Sequence, residues 1–151
     1  MERDNLYHDY NLIFQMKCSI QRKIRLLSEL FADAPEPWRV TGITKEALEI
    51  FKKHNFKRVS KMGINRSHKV DRYKTYKTML ENKFIDVNEW WNLYLTNDQT
   101  ILATSNENLS SKFSKIIEIN PSDGLFKNSG FGWKHGKKEE AFLREMYSNV
   151  N

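Results

Sequence analysis

The sequence predicts an α+β fold: a long N-terminal helix followed by a compact domain with a small, mainly antiparallel sheet and several helices. Three observations carry that prediction. Residues 5–32 contain neither glycine nor proline, and their apolar positions recur every seven residues. Ala34-Pro35-Glu36-Pro37 then ends the pattern, because two prolines forbid helix continuation. Beyond it, short apolar runs alternate with capping and turn residues, and four of the six glycines fall between Gly124 and Gly136.

Each element has a local justification. In the first segment, Leu6, Ile13, Ile20 and Leu27 form one heptad line, and Tyr10, Lys17, Ile24 and Phe31 form the other. Together they make an a/d seam with Lys17 as its one charged member. Such a seam serves either as a homodimer contact through the Leu6, Ile13, Ile20, Leu27 face or as a helix lying on its own domain's core. Phe14, Met16, Leu26 and Leu30 widen the apolar face in the second sense. The domain plan is a helix at 1–34, a proline-rich connector at 35–37 and an α+β domain at 38–151.

Within that domain, Trp38 to Thr41 reads as a short strand broken by Gly42. Thr44 caps a helix that turns Ala47, Leu48, Ile50 and Phe51 inward. Lys57 to Ile64 is a basic loop leading into a strand. Ser67 is the expected N-cap of a helix running to about Glu81, with Asp71 in its first turns favouring the dipole. Val87 to Leu95 is a short aromatic helix whose Trp90, Trp91 and Tyr94 belong in a core. Thr100 to Thr104 and Phe113 to Ile119 read as strands, joined by a polar connection at 105–111. Asn120-Pro121-Ser122-Asp123-Gly124 has the chemistry of a turn. A C-terminal helix from about Lys137 supplies Phe142, Leu143, Met146 and Tyr147 to the core.

Bulk composition removes several function classes. At 39% apolar and 13% aromatic, 151 residues bury a proper core, which argues against wholesale disorder. The lone Cys18 excludes an intramolecular disulfide framework and a cysteine-rich zinc site, and it reads as a small buried residue. A reducing cytoplasm is the expected compartment, with no membrane association, since no apolar run approaches the length of a span. The four histidines (His8, His54, His68, His135) offer no zinc-ligand pair at a familiar spacing, so no metal site is assigned.

Charge is the functional signal. Lys52 to Lys77 holds ten Lys/Arg and one acid, a local +9 in a chain whose net charge is only +6. Phe51, Phe56, Tyr73 and Tyr76 are interleaved with it. That pattern is the electrostatic footprint of a surface that meets phosphates, with DNA or RNA as the expected partner. Gly63-Ile64-Asn65-Arg66-Ser67-His68 is the best phosphate-gripping segment, on the expectation that it runs into a helix N-terminus. The nucleic-acid-binding candidates are Lys57, Arg58, Lys61, Arg66, Ser67, Lys69 and Lys74. The glycine-rich loop adds Trp133, a base-stacking candidate with Phe131, and Lys134 beside them.

The catalytic candidates are His68, Arg72, Glu107 and His135. His68 and Arg72 are four apart, and an imidazole beside a guanidinium could move a proton while neutralising a pentacovalent phosphate. Carboxylates at Asp98 and Glu107 flank the 100–104 strand, and Mg²⁺ would enter only with metal-dependent cleavage. Asp71 with Glu81-Asn82-Lys83 gives a D-x9-E-x-K spacing known from nuclease cores, but on a segment that reads as helix. Two functions stay open: a small endonuclease, and a non-catalytic DNA/RNA-binding or protein-interaction regulator of phage or bacterial type that oligomerises through its N-terminal helix.

Overall fold

The computed structural model describes residues 2–32, 34, 36–130 and 132–151. In chain order the elements are α1 (Glu2–Gln15), α2 (Ile20–Ala32), β1 (Arg39–Thr44), α3 (Lys45–Lys53), β2 (Ile64–His68), α4 (Arg72–Glu81) and α5 (Val87–Asn97). They continue with β3 (Gln99–Thr104), α6 (Ser105–Ser110), β4 (Ile116–Glu118), a 3-10 turn (Pro121–Asp123), β5 (Asn128–Ser129), β6 (Gly132–Trp133) and α7 (Lys137–Val150). This is an α+β fold with a small mixed sheet. The chain divides into two compact units: Met1–Pro37 with His68–Gln99, and Trp38–Ser67 with Thr100–Asn151. The first is helical, and the second holds most of the sheet.

In the helical unit the long N-terminal helix is α1. The heptad pattern does not continue straight from it, because the chain turns at residues 16–19 and resumes as α2. Ser19 makes the restart, its Oγ accepting the Arg22 N–H at 3.2 Å. Lys23 closes the other side of the turn, its Nζ donating to the Phe14 carbonyl at 2.8 Å. Lys17, the charged seam member, falls in this turn and is exposed, and Cys18 beside it is half-buried. Folding the seam back lets its two halves meet within one chain. Tyr10, Ile24, Leu27 and Phe31 share one buried cluster with Tyr76, Met79, Trp90 and Tyr94, and Leu6, Ile13 and Ile20 pack against it. The aromatic contacts are close, with Phe31 stacked on Tyr94 at 4.3 Å between centroids. The Tyr10 hydroxyl donates to the Met79 carbonyl at 2.5 Å, tying α1 to α4.

Capping residues set the remaining helices of this unit. Asp71 caps α4, its Oδ1 accepting the Tyr73 N–H at 3.0 Å, and Asp86 caps α5 in the same way through Asn88 at 2.9 Å. The start at Arg72 corrects the expected cap at Ser67. A carboxylate is a strong N-cap, and Ser67 is engaged in β2 instead. Of the proline connector, Pro35 lies outside the described residues.

In the sheet unit the strand order is β2-β3-β1-β4. β1 and β4 are antiparallel, with Gly42 opposite Glu118 and Thr44 opposite Ile116. β2 and β3 are antiparallel too. The Lys69 N–H reaches the Gln99 carbonyl at one end, and the Ser105 N–H reaches the Gly63 carbonyl at the other. β1 and β3 run parallel in the centre, which makes the sheet mixed. Gly42 does not break β1 but lies within it. A Cβ there would sit 2.9 Å from the Ile116 side chain and 3.2 Å from the Ile117 carbonyl, so glycine lets β4 approach.

Two threonines turn the central strands into helices. Thr44 Oγ1 accepts the Ala47 N–H at 3.1 Å, and Thr104 Oγ1 accepts the Glu107 N–H at 3.1 Å. The second cap makes α6, where the polar composition of 105–111 suggested only a connection. The core joins Val40, Ile43, Leu48 and Phe51 to Leu102, Phe126, Trp133 and Leu143. α7 starts as expected, Glu139 reaching back to the Gly136 N–H at 2.7 Å.

Candidate nucleic-acid interface

The loop between α3 and β2 begins with a helix stop. Asn55 adopts a left-handed φ of 54°, the Phe56 N–H bonds the Phe51 carbonyl at 2.7 Å, and the Asn55 N–H bonds the Lys52 carbonyl at 3.1 Å. This is the paired hydrogen-bond pattern of a Schellman stop, with its apolar contact supplied by two phenylalanines of the same core. Phe56 is thereby anchored, and the chain from Lys57 to Gly63 runs over the surface. A cleft of about 570 Å³ opens along it, lined by residues 58–65 and by Trp133.

Arg58 is a cation of this cleft with two contacts to Trp133. Its guanidinium lies 4.2 Å from the centre of the Trp133 ring, and Nη1 donates to the Trp133 carbonyl at 2.9 Å. Gly132 permits this placement, since a Cβ there would stand 2.4 Å from Arg58 Nη2. Trp133 itself is buried under the arginine, while Arg58 is exposed. Lys61 is exposed on the same lining, together with Val59 and partly buried Met62. Asn65 closes one end, its Nδ2 donating to Ser105 Oγ at 3.2 Å.

Other predicted binding residues in this unit are fixed nearby in sequence. Arg66 lies 4.8 Å from the Trp38 ring centre and donates from Nη1 to Asn128 Oδ1 at 3.0 Å. The buried Ser67 hydroxyl donates to Asn108 Oδ1 at 2.5 Å, so it supplies no cap to a phosphate-gripping helix. Lys57 and Lys134 are exposed. Lys69 and Lys74 are exposed in the helical unit, on the far side of the unit boundary in sequence. The stacking expectation for Phe131 lies outside the described residues.

The four catalytic candidates occupy three environments. His68 and Arg72 come together, not as neighbours on one helix but through a shared partner. His68 Nε2 stands 3.1 Å from Asp98 Oδ1, and Arg72 Nε stands 3.2 Å from the same oxygen. Asp98 is almost fully buried, at 3% exposure. Its field reaches the neighbouring phenols. Burial raises Tyr76 to about 12, with Arg72 opposing and Asp98 adding to the shift. Burial and then the Asp98 carboxylate push Tyr94 well above its ordinary value.

Glu107 is instead a structural junction. Oε1 accepts from Thr44 Oγ1 at 2.6 Å and from the Thr104 N–H at 3.0 Å. Oε2 accepts from the Ser114 N–H at 2.7 Å and from its hydroxyl at 2.8 Å. Burial works against the charge, but these four donors together hold the carboxyl below its ordinary value. His135 is held by the core. Its Nδ1 accepts from Trp133 Nε1 at 3.2 Å, its Nε2 faces the Phe56 carbonyl at 2.9 Å, and its ring stacks on Phe51.

Other carboxylates singled out by spacing also have local tasks: Asp71 caps α4, and Glu81 pairs with Lys77 at 3.8 Å on the same helix. Among the described residues no group of three His, Cys, Asp or Glu side chains is gathered as metal ligands are. No helix among them is long and apolar enough to cross a membrane. Sequence reasoning missed the role of Asp98 as the joint partner of His68 and Arg72. It also missed the Arg58–Trp133 pairing, for which Gly132 was the only local signal. Comparison of the chain with protein-family models, curated proteins and solved structures returns no match.

Proposed function

We propose that the sheet unit binds nucleic acid, DNA or RNA, in the cleft beside the 57–63 loop, as a cytoplasmic protein. The observation that supports this reading is the Arg58 guanidinium, held over the Trp133 ring and anchored to its carbonyl beside exposed Lys61. A guanidinium whose orientation is already fixed loses little entropy on gripping a phosphate. Lys57, Arg66 and Lys134 extend the positive charge of the same unit. Gel retardation with labelled single- and double-stranded DNA and RNA, in Mg²⁺ and in EDTA, is the test. Retarded, intact substrate supports the reading. Absence of any shift at low salt refutes it and moves the basic loop to an acidic protein partner.

The second reading is an endonuclease, and the contact that favours it is His68 against buried Asp98. A carboxylate that orients an imidazole is half of a general-base arrangement, and Arg72 on the same oxygen would stand beside a reacting phosphate. Cleavage in the same gel, abolished in His68→Ala, supports it. Cleavage that survives His68→Ala refutes this assignment.

A further inference from the structure

We infer that the cleft takes an unpaired nucleotide, with its base lying flat on the outer face of the Arg58 guanidinium, so that the nucleic acid bound is single-stranded. The inference rests on the binding reading above and names its substrate class. Three features of the cleft point to a base rather than to phosphates alone. Arg58 Cζ is held 4.2 Å from the centre of the Trp133 ring, with Gly132 keeping the approach clear, and a guanidinium is a group on which bases stack. Exposed Val59 and partly buried Met62 line the cleft beside it, apolar surface that a phosphate has no use for and a base does. Asn65, at the rim, spends its amide nitrogen on Ser105 and keeps its carbonyl oxygen for a base edge. The cleft volume of about 570 Å³ falls in the range of sites for compact ligands of nucleotide size. A paired base exposes only its edges, with both faces covered by stacked neighbours. Away from duplex ends, only an unpaired base can lie on Arg58.

The test uses the full chain and fluorescence anisotropy at fixed low salt. The probes are a single-stranded oligothymidine, the same strand with abasic sites, and a duplex of equal length. Two variants separate stacking from charge. Arg58→Lys keeps the charge and loses the plane. Gly132→Ala keeps the arginine but pushes its guanidinium off the ring, and the displaced atoms are the far end of a flexible side chain, so the fold is spared. The expected result is wild-type preference for the strand with bases, a loss of about 10-fold in both variants on that strand, the scale of one lost stacking contact, and a distinctly smaller loss on the abasic strand, where Arg58 meets phosphate alone. Equal wild-type affinity for the strand, the abasic strand and the duplex overturns the inference while leaving the binding reading intact. Unchanged affinity of both variants for the strand also overturns it. Failure to bind any of the probes at low salt overturns both.

Discussion

Replacing Glu107 by alanine should destabilise the sheet unit severely. Its two oxygens accept four hydrogen bonds, from Thr44, Thr104 and both donors of Ser114, and the side chain is 3% exposed. Hydrogen bonds to a charged group are worth about 1.5–3 kcal/mol each, and buried donors left without an acceptor keep their full desolvation cost. Ser114 is half-buried and recovers part of its loss from water. A net loss of about 3–5 kcal/mol follows, or about 10 °C in melting temperature for a chain of this size. The folded-state pKa is depressed, so this stabilisation is complete above the unfolded glutamate value near 4.3 and is lost as pH falls through the lower folded value. Thermal melts of wild type and Glu107→Ala from pH 3 to pH 7 read both effects. Melting temperatures within about 2 °C of each other at pH 7, or a gap that widens toward acid, would refute the reasoning.

Leu27→Ala should cost about 2–5 kcal/mol, because the side chain is fully buried in the aromatic cluster of its own unit. The melting temperature of wild type should not change with protein concentration, and a clear rise on concentration would restore the seam as a dimer contact. Asp98→Ala should cost about 3–5 kcal/mol in urea unfolding, since Arg72 and His68 would remain largely buried without their shared carboxylate. A loss below about 1 kcal/mol would mean that the cluster is solvated.

Local chemistry made much of the fold legible. Thr44, the inward residues of α3, the aromatic face of α5 and the apolar side of α7 follow from capping and periodicity alone. Tertiary context decided the rest. The heptads of 5–32 are equally good for a straight seam and for a hairpin, and the turn at 16–19 carries no glycine or proline to announce it. Gly42 looked like a breaker because glycine favours turns, whereas the close approach of β4 that explains it is non-local. The Thr104-to-Glu107 capping box was present in sequence, hidden by the polarity of its surroundings. The same residue looked catalytic because a buried, bonded glutamate and a reactive one share a sequence signature. Charge density located the basic loop, but neither the Arg58–Trp133 pairing nor the Asp98 junction could be read from it, since each joins residues far apart in the chain.

The most direct test of phosphate binding is how affinity for a single-stranded oligonucleotide responds to salt. Five cations of the sheet unit, Lys57, Arg58, Lys61, Arg66 and Lys134, would release several condensed counterions, so affinity for a single strand should fall by about a hundredfold between 50 and 200 mM salt. The double variant Lys57→Ala, Lys61→Ala should lower the slope by about 1–2. A slope near zero, or one that the double variant leaves unchanged, would contradict the claim that this loop meets phosphates.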